Sequence, residues 1–135
     1  MATQFRLTLA QLNPTVGAIE ANVALALQAW QQGREAGAQM VALTEMFVTG
    51  YQTQDLVMKP AFSAHAMQAI SDLARQITDG PALGIGAPCV KDGKLYNAYY
   101  ILADGKIATT ILKHELPNSD VFDEKRVFAA ADVHG

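Results

Sequence analysis

The chain has 135 residues, half of them hydrophobic, a single cysteine and a formal net charge of −3. That suits one folded domain with a core of its own, and the mild negative charge without a Lys/Arg cluster argues against nucleic acid. No apolar run reaches the ~18 residues of a membrane span, Met1-Ala2-Thr3-Gln4-Phe5-Arg6 lacks the regions of a signal peptide, and a lone cysteine fits a reducing cytoplasm.

Phe5 to Leu12 alternates as a strand, with Phe5, Leu7 and Leu9 on one side before Asn13-Pro14 turns the chain. Ile19, Val23, Leu27 and Trp30 then recur at helical spacing, and Gly37 is placed to close that helix in a left-handed conformation. Met40-Val41-Ala42-Leu43 is a short unbroken apolar run. After a helix it reads as a parallel strand covered on both faces. Residues 5–45 therefore predict a β-α-β unit with Glu45 at the carboxyl end of its second strand, where open α/β sheets bind ligands.

Beyond Gly50 the spacing predicts a short helical patch around Leu56 to Met58, broken by Pro60. Ser63 is the expected N-cap of the next helix, with Phe62 and Met67 stapling its start. Met67, Ile70, Leu73, Ala74 and Ile77 form its core stripe, and Asp79-Gly80-Pro81 ends it. Three strands follow, Ala82 to Val90, Leu95 to Leu102 and Ile107 to Leu112. They are joined by Asp92-Gly93 and Asp104-Gly105, pairs that favour tight hairpins because both residues tolerate positive φ. The last residues, Phe128 to Gly135, contain neither a helix cap nor a finished strand, and a domain that continues further is expected.

Two charges stand at strand ends. Glu45 follows Leu43-Thr44, where an unpaired carboxylate would be costly to bury; Lys113 follows Ile111-Leu112. Each has a plain alternative, an exposed loop acid for Glu45 and an edge-strand gatekeeper for Lys113. If they meet, the acid can take a proton while the ammonium stabilises developing negative charge. Val121 to Phe128 is rich in charge between two aromatics, so Phe122 and Phe128 are expected to pin it and let Glu124 orient Lys113.

Other chemistries find little support. Gly84-Ile85-Gly86-Ala87-Pro88-Cys89 lacks the third glycine and the helix of a dinucleotide loop. His65, His114 and His134 have no metal-ligand spacing with one another or with Cys89, and no Gly-x-Ser-x-Gly elbow is present. Cys89, in a strand pattern, reads as a buried thiol.

The string Leu43-Thr44-Glu45-Met46-Phe47-Val48-Thr49-Gly50-Tyr51 resembles the glutamate motif of the nitrilase (carbon–nitrogen hydrolase) superfamily, and Leu112-Lys113-His114 through Glu124 resembles its lysine motif. Leu116-Pro117-Asn118, Val121-Phe122-Asp123-Glu124-Lys125-Arg126 and Phe128, with Gly93, Leu95-Tyr96-Asn97-Ala98 upstream, are similar to the N-terminal glutaminase domains of the bacterial glutamine-dependent NAD synthetase family. The resemblance spans Phe5 to Phe128. It implies an α/β fold, part of a four-layer α-β-β-α sandwich, of which residues 1–135 are the N-terminal portion and lack the C-terminal part. It also implies a Glu-Lys-Cys triad.

Matched position by position, Glu45 is the general base, Lys113 the oxyanion-holding lysine and Glu124 a supporting acid; Tyr51 and Phe122 are expected near the substrate. The family's cysteine follows the lysine motif, and nothing between Lys113 and Gly135 matches it, so these residues are expected to be inactive alone. Ser119 departs from the tyrosine that many synthetases place after Leu-Pro-Asn. Glutamine is the implied substrate. A C-terminal synthetase domain of the same polypeptide is implied to use ATP, with magnesium, to amidate deamido-NAD. No cofactor is expected in this portion, and assembly as a homo-oligomer is. A stand-alone amidase of the superfamily acting on a small ω-amide or carbamoyl substrate, and a non-catalytic interaction protein, remain alternatives.

Overall fold

The structure, a computed structural model, describes residues 5–10, 12, 14–15, 18–50 and 60–114. The expected helical patch at Leu56 to Met58, and Tyr51, Ser119, Phe122, Glu124 and His134, lie outside the described residues. In chain order the elements are β1 (Leu7–Leu9), α1 (Ile19–Glu35), β2 (Met40–Ala42), α2 (Pro60–Ala74), β3 (Ala82–Lys91), β4 (Lys94–Ala103) and β5 (Lys106–His114). The five strands form one sheet in sequence order. β1, β2 and β3 run parallel, and β3, β4 and β5 form an antiparallel meander. Asp92-Gly93 and Asp104-Gly105 make its two tight turns, with φ of 54° and 75°, and of 54° and 77°. Successive positive φ values are the signature of the turn whose twist matches the flanking strands.

Helix α1 buries two of its four expected stripe residues, Ile19 and Trp30, and fills the rest of its inner face differently. Its buried residues are Ile19, Asn22, Ala26, Ala29, Trp30 and Gly33, whereas Val23 and Leu27 are only partly buried. Small side chains win the inner face because the approach is close. A Cβ on Gly33 would collide with Val41 Cγ2, so a bulkier residue there would push the helix off β2. Val23 and Leu27 lie on the side of α1 that meets α2, where Glu20 and His65 pair at the surface.

The start of α2 also corrects the sequence reading. The helix begins at Pro60, ahead of the expected cap, and Ser63 lies inside it, fully buried, rather than capping it. Proline suits a helix's first turn because its fixed φ is already helical and its missing N–H would have no partner there. Ile70, Leu73 and Ala74 are buried as expected; Ile77 is buried too, but in the turn after the helix has ended.

Strand β1 is shorter than the predicted Phe5 to Leu12, and its apolar side faces away from the helices. Thr8 sits beneath Gly33 of α1, while Leu7 and Leu9, at 47% and 70% exposure, point to the opposite face. Ile111 of β5 (47% exposed) lies on that same open face, opposite Tyr99. The helix-facing side holds the core: Val41, Leu83, Ile85, Ala87, Leu102 and Tyr100 against Ile70, Leu73 and Trp30. The sheet therefore has two apolar faces, and the described helices cover one. Among the described residues, no helix is long and apolar enough to cross a membrane.

Candidate active site

Glu45 opens a turn, residues 45–49, that folds back over the sheet after β2. Backbone bonds hold it to β3 on both sides. Leu43 N–H donates to the Gly84 carbonyl (2.8 Å), Gly86 N–H to that of Thr44 (3.2 Å) and Val48 N–H to that of Gly86 (3.1 Å). Met46 takes a positive φ of 54°, an uncommon conformation outside glycine that marks a tightly determined turn. Gly86 makes the close crossing possible: a Cβ there would stand 2.7 Å from Glu45 Cα.

Two side chains absent from the sequence reading hold this turn from either side of the sheet. Asn22, 1% exposed on the inner face of α1, donates to the Val48 carbonyl (2.9 Å) and the Thr15 carbonyl (2.7 Å) and accepts from Thr15 N–H (2.7 Å). A polar residue on an otherwise apolar helix stripe was the available signal. On the open face, the Tyr99 hydroxyl donates to the Leu43 carbonyl (2.7 Å). Burial pushes the Tyr99 phenol above its ordinary pKa, so it stays a neutral donor. On the helix side, burial and the neighbouring Cys89 likewise push Tyr100 up.

Lys113 approaches from β5. Pairing passes from Leu112 opposite Ala98 to His114 opposite Asn97, leaving Lys113 as the extra residue of a β-bulge. Bulges bend a strand and re-aim its side chains, often beside active sites. Lys113 Nζ lies 3.2 Å from Glu45 Oε1, with Lys113 37% and Glu45 26% exposed. The structure thus brings together two of the five site residues expected from sequence. Tyr51, Phe122 and Glu124 fall outside the described residues.

Strand alternation separates Cys89 from this pair. Gly86 faces the Glu45 turn and Gly84 shares its side of the sheet, whereas Leu83, Ile85, Ala87 and Cys89 occupy the alternate positions, on the helix side. Cys89 is free and buried there, beside Tyr100. Among the described residues, no group of three His, Cys, Asp or Glu side chains could hold a metal ion.

The mixed α/β sheet matches structures of the nitrilase fold. The chain belongs to the carbon–nitrogen hydrolase family, whose profile matches residues 6–134. It is 61% identical to the glutamine-dependent NAD(+) synthetase of Rhodobacter capsulatus over 133 residues, 98% of this chain and 24% of that protein. The crystal structure of a glutamine-dependent NAD(+) synthetase from Cytophaga hutchinsonii superposes with a TM-score of 0.85 at 26% identity, covering 98% of this chain and 23% of that one. An amidase from Nesterenkonia sp. shares the fold, with a TM-score of 0.71 at 19% identity over 95% of this chain and 48% of its own. The chain spans about a quarter (24%) of the length of the curated synthetases it matches.

Proposed function

We propose that these residues are the N-terminal portion of the glutamine amidohydrolase domain of a cytoplasmic glutamine-dependent NAD synthetase, with Glu45 as general base and Lys113 as oxyanion holder. The contact between Glu45 and Lys113 carries the reading. An ion pair this exposed contributes about 0–1 kcal/mol to stability. Yet a bulge, a positive-φ turn and a side-chain-free crossing at Gly86 converge on it, which favours a chemical role. The 61% identity to a glutamine-dependent NAD(+) synthetase supports the choice of substrate.

In this mechanism Glu45 takes the proton of a cysteine thiol, and the thiolate attacks the side-chain amide carbon of glutamine. The C=O electron pair moves to oxygen, where the Lys113 ammonium stabilises it. Collapse breaks the C–N bond, and nitrogen leaves as ammonia with the proton held by Glu45. Water, deprotonated by Glu45, then cleaves the thioester to glutamate and restores the thiol. Cys89 lies on the wrong face of the sheet, so the thiol comes from outside these 135 residues. ATP, magnesium and deamido-NAD bind in a synthetase domain to which none of these residues belongs. Glu124 supports Lys113, and Tyr51 and Phe122 line the glutamine pocket. The open face bearing Leu7, Leu9 and Ile111 is covered by the remaining strands of the four-layer sandwich.

Glutaminase assays on residues 1–135 and on the natural chain extended through its next cysteine test this. The short form is expected to be inactive, and the extended form active unless Glu45→Gln is introduced. Turnover by residues 1–135 alone would overturn the missing-nucleophile reading. An extended form that hydrolyses other ω-amides but not glutamine would favour a stand-alone amidase.

A further inference from the structure

Asn97 is 1% exposed, and among the described residues nothing donates to its Oδ1. A buried carboxamide oxygen left unpaired costs about 1–3 kcal/mol, so such a group calls for a reason. Its position suggests one. On β4, Asn97 stands opposite Pro88, two residues along from Tyr99, which stands opposite Gly86. Gly86 is crossed by the Glu45 turn, so Asn97 shares the face on which Glu45 lies. Its β5 neighbour is the bulge that holds Lys113. Because Glu45 sits over β3 and Lys113 springs from β5, their contact spans β4, the strand that carries Asn97.

We propose that Asn97 is a positioning residue for Lys113, its Oδ1 accepting a hydrogen bond from the Lys113 ammonium during turnover. The mechanism requires this when Glu45 takes a proton: the carboxylate becomes neutral, and its hold on Nζ weakens just as the oxyanion forms. A neutral carboxamide can keep the ammonium in place without adding a further negative charge beside the developing oxyanion. The residue type follows from that need.

The kinetic arm rests on the glutaminase reading; the spectroscopic arm does not. In the full natural chain, Asn97→Leu keeps the side chain's size and removes the acceptor. It is expected to lower kcat about 10- to 100-fold, the range for losing an orienting partner, with KM changed less than about threefold. The Lys113 ammonium signal, followed by NMR with isotope-labelled lysine, is expected to shift. Should Asn97→Leu fail to fold, Asn97→Asp serves: its added charge beside the ammonium is expected to shift the Lys113 signal and lower kcat. A Lys113 signal unchanged in the folded variants would overturn the proposal, whether or not glutamine is the substrate. An altered Lys113 signal in a protein that does not turn over glutamine would uphold the contact and refute the substrate assignment instead.

Discussion

Replacing Gly86 by alanine adds one carbon where the Glu45 turn crosses the sheet. That Cβ would lie 2.7 Å from Glu45 Cα and 2.8 Å from its carbonyl carbon, against an unstrained carbon–carbon separation of about 3.5–4.0 Å. The turn would have to lift by roughly 1 Å. It cannot do so freely, because Gly86 also donates to the Thr44 carbonyl and accepts from Val48 N–H, each bond contributing about 0.5–1.5 kcal/mol. With overpacking of about 1–3 kcal/mol, the expected loss of stability is roughly 2–4 kcal/mol.

Gly86 has no positive φ to forbid a side chain. Alanine in an unobstructed strand would be neutral or stabilising by about 0.5–1 kcal/mol, so the sign of the effect is diagnostic. A shift of roughly 1 Å in the base can cost about 100-fold in turnover. Thermal unfolding and glutaminase kinetics on the full natural chain measure both. Gly84→Ala tests the same face one step along: its Cβ would stand 2.6 Å from the Tyr99 hydroxyl and 2.8 Å from Cε2, so Tyr99 would have to give up its bond to the Leu43 carbonyl. A Gly86→Ala protein that melts no lower and keeps its kcat would refute the placement of Glu45 over β3.

Asn22→Ala removes both donors to Val48 and Thr15 and the acceptor for Thr15; a stability loss of about 2–4 kcal/mol is expected by chemical denaturation, with Asn22→Asp recovering only the bond from Thr15. Tyr99 has its pKa raised by burial. The fold therefore favours the neutral phenol, and its contribution is complete below the ordinary value of about 10 and lost as pH rises through the higher folded value. Tyr99→Phe should flatten the alkaline limb of the stability curve by up to about 1.4 kcal/mol per pH unit; an unchanged limb would contradict this. Residues 1–135 alone are expected to self-associate through the open face, and Leu9→Lys to reduce that association in sedimentation while destabilising the full chain. A monomeric, reversible melt of residues 1–135 would count against a covered open face.

Features governed by local chemistry could be read directly from the chain. Asp92-Gly93 and Asp104-Gly105 need only their own backbone preferences, and both hairpins form where those pairs stand. The β-α-β unit around α1 was likewise legible from apolar runs and Gly37. Features set by distant partners were not. The inner stripe of α1 depends on how closely the helix sits on Val41, which favours Ala26, Ala29 and Gly33 over the more hydrophobic Val23 and Leu27. The outward turn of Leu7 and Leu9 depends on which face α1 covers, and alternation alone cannot say. At the site, Glu45 and Lys113 carried charges that the strand ends made conspicuous. Asn22 and Tyr99 act through contacts across 26 and 56 positions, and Asn97 is placed by strand register, none of which a local pattern encodes.

The most direct test of the central claim is single-turnover glutamine hydrolysis by the full natural chain carrying Glu45→Gln, Lys113→Met and both together. If the two side chains act as one base and oxyanion holder, each single change is expected to lower the rate by about 100-fold or more. The double variant should then be scarcely slower than the singles. Full activity in Glu45→Gln, or losses in the double variant that simply multiply, would contradict it.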